Sequence, residues 1–151
     1  MPGVPPLLPP QFLAVSALPD AQRYQHFVSR VADSALVWSL RNARGWVSLA
    51  DPQGQAGLPV WPHPGYAAAC ATGDWAGCEP GYIDLQEFVD QWLPDMAALG
   101  VQVDVFPTTG RFGVLVSALQ LELHLREALA SSGNSSVDAS GFAALGPASG
   151  S

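Results

Sequence analysis

Residues 58–94, LPVWPHPGYAAACATGDWAGCEPGYIDLQEFVDQWLP, constrain the fold more than any other stretch of this chain. A short apolar run at 58–61 meets Pro62-His63-Pro64. Each proline pushes the residue before it out of the α region, so a strand that enters here must stop here. Pro64 then suits the first turn of a helix, where a missing N–H does no harm, and a short helix is predicted to about residue 71. The same block holds three of the five tryptophans, two of the three tyrosines, both cysteines and five carboxylates. Such a block forms the heart of a small core, an acidic aromatic surface for a partner, or both.

The flanking sequence supplies the remaining elements. Over residues 19–33, Tyr24, Phe27, Val28, Val31 and Ala32 recur with helical period on one face. Asp20 suits the positive end of that helix, and Arg23, His26 and Arg30 fall off the apolar face. Residues 35–41 and 45–50 read as a β-hairpin turning through Asn42-Ala43-Arg44-Gly45. Residues 51–57 and 72–81 are predicted as loops, the second carrying Asp74, Trp75, Cys78 and Glu79. Asp84 and Glu87 have the spacing of a capping box, with Leu85, Phe88, Val89, Trp92, Leu93 and Met96 along one side of the helix that follows. Pro94 costs about 3 kcal/mol inside a regular helix, which predicts a kink or two abutting helices closed by Gly100.

Val101, Val103 and Val105 alternate with Gln102 and Asp104 as in a strand, and Thr108-Thr109-Gly110 turns it toward residues 112–116. Ser117 caps a last helix to about residue 130, with Leu121, Leu125, Ala128 and Leu129 inward and Glu122/Arg126 as an i, i+4 pair. Leu119 and Leu123 form a smaller stripe, either the rim of the core or a homodimer contact. The expected fold is α+β: a mainly antiparallel sheet of about five strands with helices packed against it, in the order α-β-β-β-α-α-β-β-α. The expected organisation is a flexible proline-rich arm at 1–18, one domain at 19–130 and a flexible Ser/Gly/Ala-rich tail at 131–151.

Charge narrows the chemistry. Net charge is −7 and all six basic residues are arginine. Without lysine there is no Walker-type phosphate loop and no Schiff base. Acidity argues against nucleic acid, whose binding draws on clustered positive charge. The start MPGVPPLLPP lacks the basic residue and long apolar run of a secretory signal, no stretch reaches the ~18–20 apolar residues of a membrane span, and a cytoplasmic protein with free thiols is expected. Gly54/Gly57 and Gly110/Gly113 are spaced as turn residues rather than as a dinucleotide fingerprint. Cys70, Cys78 and His63 lack zinc-knuckle spacing, so neither a metal nor a cofactor is expected. His26 and His124 read as partly solvated; His63, fixed between two prolines beside Trp61 and Tyr66, is a structural turn residue or a preset base.

The run Leu58-Pro59-Val60-Trp61-Pro62-His63-Pro64, then Tyr66-Ala67, Trp75, Ile83, Leu85, Phe88 and Trp92-Leu93-Pro94, resembles the bacterial domain-of-unknown-function family numbered 2750. It is also distantly similar to the SseB-like proteins, small α+β domains with an apolar-Pro-Val-aromatic strand leading into a helix. The first resemblance implies no catalytic residue. The second implies a cytosolic, non-enzymatic module in a neighbourhood of folds that includes toxin-immunity proteins, which is analogy of fold alone.

Eight acids and no Arg or Lys lie between positions 45 and 110. The leading expectation is therefore a regulatory or immunity-type interaction domain that meets a basic protein through an acidic aromatic surface around residues 75–95. Its expected binding residues are Trp61, His63, Tyr66, Asp74, Trp75, Glu79, Tyr82 and Glu87. The rival expectation is a small-molecule or enzymatic cleft in which Trp61, His63, Tyr66 and Glu79 converge.

Overall fold

The computed structural model describes residues 9–50, 53–109 and 113–137. Helix α1 (Pro9–Ser16) lies in the segment expected as an arm, and its Phe12 ring stacks on Tyr66 at 5.4 Å. Helix α2 (Asp20–Ser34) buries Tyr24, Phe27, Val28 and Val31, the stripe that its period predicts. It ends at Ala35 in the left-handed conformation, φ 62°, with the Ala35 N–H donating to the Val31 carbonyl.

Strand β1 (Leu36–Asn42) turns into β2 (Gly45–Trp46), pairing Arg41 with Trp46 and Asn42 with Gly45. The second arm of the expected hairpin then divides. Its later half, β3 (Leu49–Ala50), pairs with β4 (Ala56–Val60) instead of β1. β1 meets the end of β4 through a backbone bridge between Trp38 and Trp61, with hydrogen bonds of 3.0 and 2.8 Å, and through the Ser39 hydroxyl, which donates to the Pro59 carbonyl at 2.6 Å. Residues 45–50 thus pass from the first sheet to the second.

After β4 come α3 (Pro64–Ala69), a single 3₁₀ turn (Gly73–Trp75) and β5 (Glu79–Asp84). β5 runs antiparallel to β1 from Leu36↔Asp84 to Arg41↔Glu79, where a loop was expected up to residue 81. Pro80 and Gly81 masked the strand, because both weaken strand propensity; an edge strand tolerates them. Gly81 has a further reason to be glycine: a Cβ there would meet Arg41 Cδ at 2.8 Å and the Trp46 ring at 3.0 Å.

β6 (Gln102–Val105) pairs parallel with β4, and β7 (Val114–Ser117) antiparallel with β6. The single, mainly antiparallel five-stranded sheet is therefore replaced by two sheets, β2-β1-β5 and β3-β4-β6-β7, within the α+β class. The parallel pair follows from the long connection between β4 and β6, which gives the chain room for a crossover.

The helical run opens with α4 (Leu85–Glu87), where Asp84 accepts from the Gln86 and Glu87 N–H groups at 3.1 and 3.3 Å. Glu87 does not close the expected box; it accepts from Trp92 Nε1 at 3.2 Å. Residues Phe88–Trp92 form a π-helical turn that leads into α5 (Leu93–Leu99), capped by Gly100 at φ 73°. The wider turn carries the helix past Pro94 without a break. Arg126 Nη2 donates to the Val89 carbonyl at 3.2 Å, supplying a donor beside the N–H that Pro94 lacks.

Arg126 comes from α6 (Ala118–Val137), which Ser117 caps through the Gln120 N–H at 3.1 Å. α6 extends past its expected end near residue 130, and the remaining tail, like the first eight residues of the arm, lies outside the described residues. Arg126 also binds Asp90 and Glu122, each at 3.0 Å. Arg126→Met should lower the thermal midpoint more than Asp90→Asn, which keeps the carbonyl contact. Equal shifts in calorimetry would show that Val89 gains nothing from the guanidinium.

The core joins Phe27, Trp38, Leu40, Trp61, Phe88, Phe106, Leu121 and Leu125, all within 2 % of full burial. Each such side chain contributes roughly 1.5–3 kcal/mol of transfer free energy. Among the described residues, no helix is long and apolar enough to cross a membrane.

Candidate functional site

The end of β4 and the chain after β6 form one tightly bonded corner. Trp61 is fully buried, and its Nε1 donates to the Pro107 carbonyl at 2.7 Å. Cys70 Sγ donates to the same oxygen at 3.5 Å. Phe106 holds a left-handed backbone, φ 62°, with its N–H on the Val60 carbonyl at 2.8 Å. His63 caps α3: its Nδ1 accepts from the Gly65 N–H at 2.9 Å, which places the ring proton of the neutral form on Nε2. Tyr66 stands edge-on to His63 and tilts against Phe106, ring centroids 4.7 Å apart.

Trp61, His63 and Tyr66 are therefore brought together, as a buried structural corner. Glu79 stays apart. It stands opposite Arg41 of β1, and strand alternation turns it to the face opposite Tyr82. Tyr82 is 44 % exposed and leans on the Trp38 ring at 5.7 Å.

A second feature lies where the chain leaves β2 for β3. Val47, Ser48 and Leu49 form one wall of a depression of about 620 Å³, and Asp74, Trp75 and Cys78 the other. Gly73 and Gly77, with φ of 58° and 86°, let the intervening loop fold tightly. Trp75 is half-buried, perpendicular to Trp61 at 6.2 Å, while Asp74 is exposed. Asn42 Nδ2 donates to Cys78 Sγ at 3.7 Å, and both cysteines are free and buried.

The acidic stretch is uneven in space. Asp104 is buried, Asp90 is bound by Arg126, and Glu79 stands in register with Arg41, whose guanidinium lies 5.0 Å over Trp46. Asp74, Asp84, Glu87 and Asp95 are exposed. Asp74 combines an exposed carboxylate with an aromatic wall and a concave surface.

The family model described as protein of unknown function (DUF2750) matches residues 24–125, from α2 into α6. This chain belongs to the DUF2750 family. Neither the curated proteins nor the solved structures show a significant match to it. The matched span of the DUF2750 domain includes both walls of the depression and the whole buried corner, and it leaves out α1.

Two buried polar groups, Arg23 and Asp104, are not legible in the sequence. Arg23, placed off the apolar face by helical period, is 0 % exposed. Its Nε donates to the Phe106 carbonyl at 3.0 Å, Nη1 to the Leu18 carbonyl at 2.9 Å and Nη2 to Asp20 at 3.0 Å. Asp104, which alternates with Val103 and Val105 along β6, is also 0 % exposed. Burial pushes its carboxyl up to about 6, against the opposing Gly113 N–H and the Arg23 charge. His124 is half-buried, in keeping with a partly solvated position, and pairs with the Tyr24 hydroxyl at 2.5 Å, while burial pushes that hydroxyl up to about 12. Leu119 and Leu123 are not the core rim; they are 58 % and 57 % exposed. Among the described residues no three His, Cys, Asp or Glu side chains gather as a metal site.

Proposed function

We propose that this DUF2750 domain is a non-enzymatic interaction module that receives a basic segment of a partner protein in the depression beside Trp75. The observation that carries the reading is the joining of Asp74 and Trp75 on one wall of a concave surface of about 620 Å³. A guanidinium or ammonium placed there can lie against the indole face while its charge meets the Asp74 carboxylate. Cation–π contact contributes about 0.5–1 kcal/mol at an exposed site and more as water is excluded. The chain's net charge of −7 speeds the approach of a basic partner. The enzymatic alternative has less support because Trp61 and Tyr66 are buried while Glu79 is exposed.

The test is fluorescence anisotropy with a labelled arginine-rich octapeptide at low and high salt. Asp74→Asn is expected to weaken binding up to about fivefold and to flatten its salt dependence. Trp75→Leu, which keeps bulk against Trp61, should weaken it independently. Equal binding of a neutral peptide of the same length, or an unchanged affinity for Asp74→Asn, would overturn the reading.

A further inference from the structure

The second sheet seals a carboxyl group beneath its edge. Asp104 lies on β6 and is 0 % exposed. Its cross-strand neighbours are Pro59 on β4 and Leu115 on β7, whose side chains have no donor to give. The Arg23 charge on α2 acts on it, yet Nε, Nη1 and Nη2 of Arg23 donate to the Phe106 carbonyl, the Leu18 carbonyl and Asp20. Neither Asp104 oxygen holds a well-formed hydrogen bond among the described residues, and the Gly113 N–H offsets burial only in part. A protonated carboxyl tolerates such a place far better than a carboxylate left without donors.

The strand that covers Asp104 is held on one side only. β7 has four residues and ends the order β3-β4-β6-β7, so β6 is its single strand partner. Leu115, directly opposite Asp104, is 37 % exposed. The chain enters β7 close over the carboxyl: a Cβ on Gly113 would collide with the Val105 carbonyl and stand 2.7 Å from Asp104 Oδ1. Short segments with little buried surface open locally at lower cost than the whole domain unfolds.

We propose that the proton on Asp104 is a latch for the leading end of β7: with the carboxyl neutral, residues 113–115 close over it, and loss of the proton to solvent releases that end so that water reaches the carboxylate. The other groups at this corner do not operate it. Arg23 is a fixed charge. Cys70, at the end of α3, senses Asp104, but burial raises its thiol, which stays neutral while Asp104 titrates. His26 of α2 leans on the Phe106 ring at 6.2 Å, and burial with the Arg30 charge lowers it below its ordinary value. Asp104→Asn keeps His26, so comparing the two proteins isolates Asp104.

The experiment follows amide hydrogen exchange of the full chain from about pH 4 to about pH 7, corrected for the intrinsic rate at each pH. With a folded value of about 6 and an ordinary value near 3.9 once water enters, opening at residues 113–115 should become about fiftyfold more frequent across that range. In Asp104→Asn the same amides should hold their protection to within about twofold. The opening should respond weakly to dilute urea, unlike that of the core strand β1, because it uncovers little surface. A flat wild-type profile, or an equal pH response in Asp104→Asn, would overturn the proposal. So would protection at 113–115 that follows β1 in both urea and pH, which marks global unfolding as the sole route. The wild-type profile and its urea response decide the matter if Asp104→Asn does not fold.

Discussion

Arg23→Met is expected to destabilise the domain by about 3–5 kcal/mol, read from urea unfolding followed by tryptophan fluorescence. The side chain is wholly buried, and two of its three partners are main-chain carbonyls, those of Phe106 and Leu18. A buried ion pair can often be replaced by apolar residues of similar volume without loss, because both charges leave together. That route is closed here, since no mutation of Arg23 removes the carbonyls. Each acceptor left buried and unmet costs about 1–3 kcal/mol. The Phe106 carbonyl belongs to a residue in a left-handed backbone, so its hydrogen bond also holds an unfavourable conformation in place. Asp20→Asn is the control: Asp20 is 65 % exposed, and weakening its pairing with Arg23 should cost about 1 kcal/mol or less. A loss below about 1 kcal/mol for Arg23→Met would mean that the corner is held by packing alone.

Arg23 also shows where a linear sequence stops informing. Helical period places it off the stripe of Tyr24, Phe27, Val28 and Val31, and the period is right about all four. What buries Arg23 is Phe106, eighty-three residues away, whose carbonyl turns toward α2 only after β6 has paired with β4. The same limit explains Asp104. Strand alternation predicts that Val103 and Val105 face one side and Asp104 the other, which holds. It cannot predict that the other side is covered too, because the neighbours of Asp104, Pro59 and Leu115, are set by pairing. Local signals worked wherever the cause was local. Ser117 caps α6, Asp84 caps α4, Pro64 opens α3 after the strand break at Pro62, and Gly100 closes α5. In the depression, Asp74 and Trp75 were legible as a pair by adjacency. The wall that faces them was not, because it depends on residues 45–50 passing from one sheet to the other.

Asp104 carries the second large effect, and its sign is opposite to that of most carboxylates. Its folded-state value of about 6 lies above the ordinary value near 3.9, so between those limits the folded protein binds more protons than the unfolded chain. Stability from this group is therefore fully present below about pH 4 and is lost as pH rises through about 6. A shift of about two units corresponds to about 3 kcal/mol of destabilisation at neutral pH. Asp104→Asn removes the ionisation. The variant should gain on the wild type across pH 4 to 7, with up to about 3 kcal/mol of relative change, while the other carboxylates titrate alike in both proteins. A wild-type-minus-variant difference that stays flat over that window would show that Asp104 ionises in the fold as easily as in water. Removing the Arg23 charge takes away one of the two influences that hold the Asp104 value down. In the Arg23→Met background the window should accordingly extend to higher pH, and the two substitutions should be non-additive, as groups that share a buried corner are.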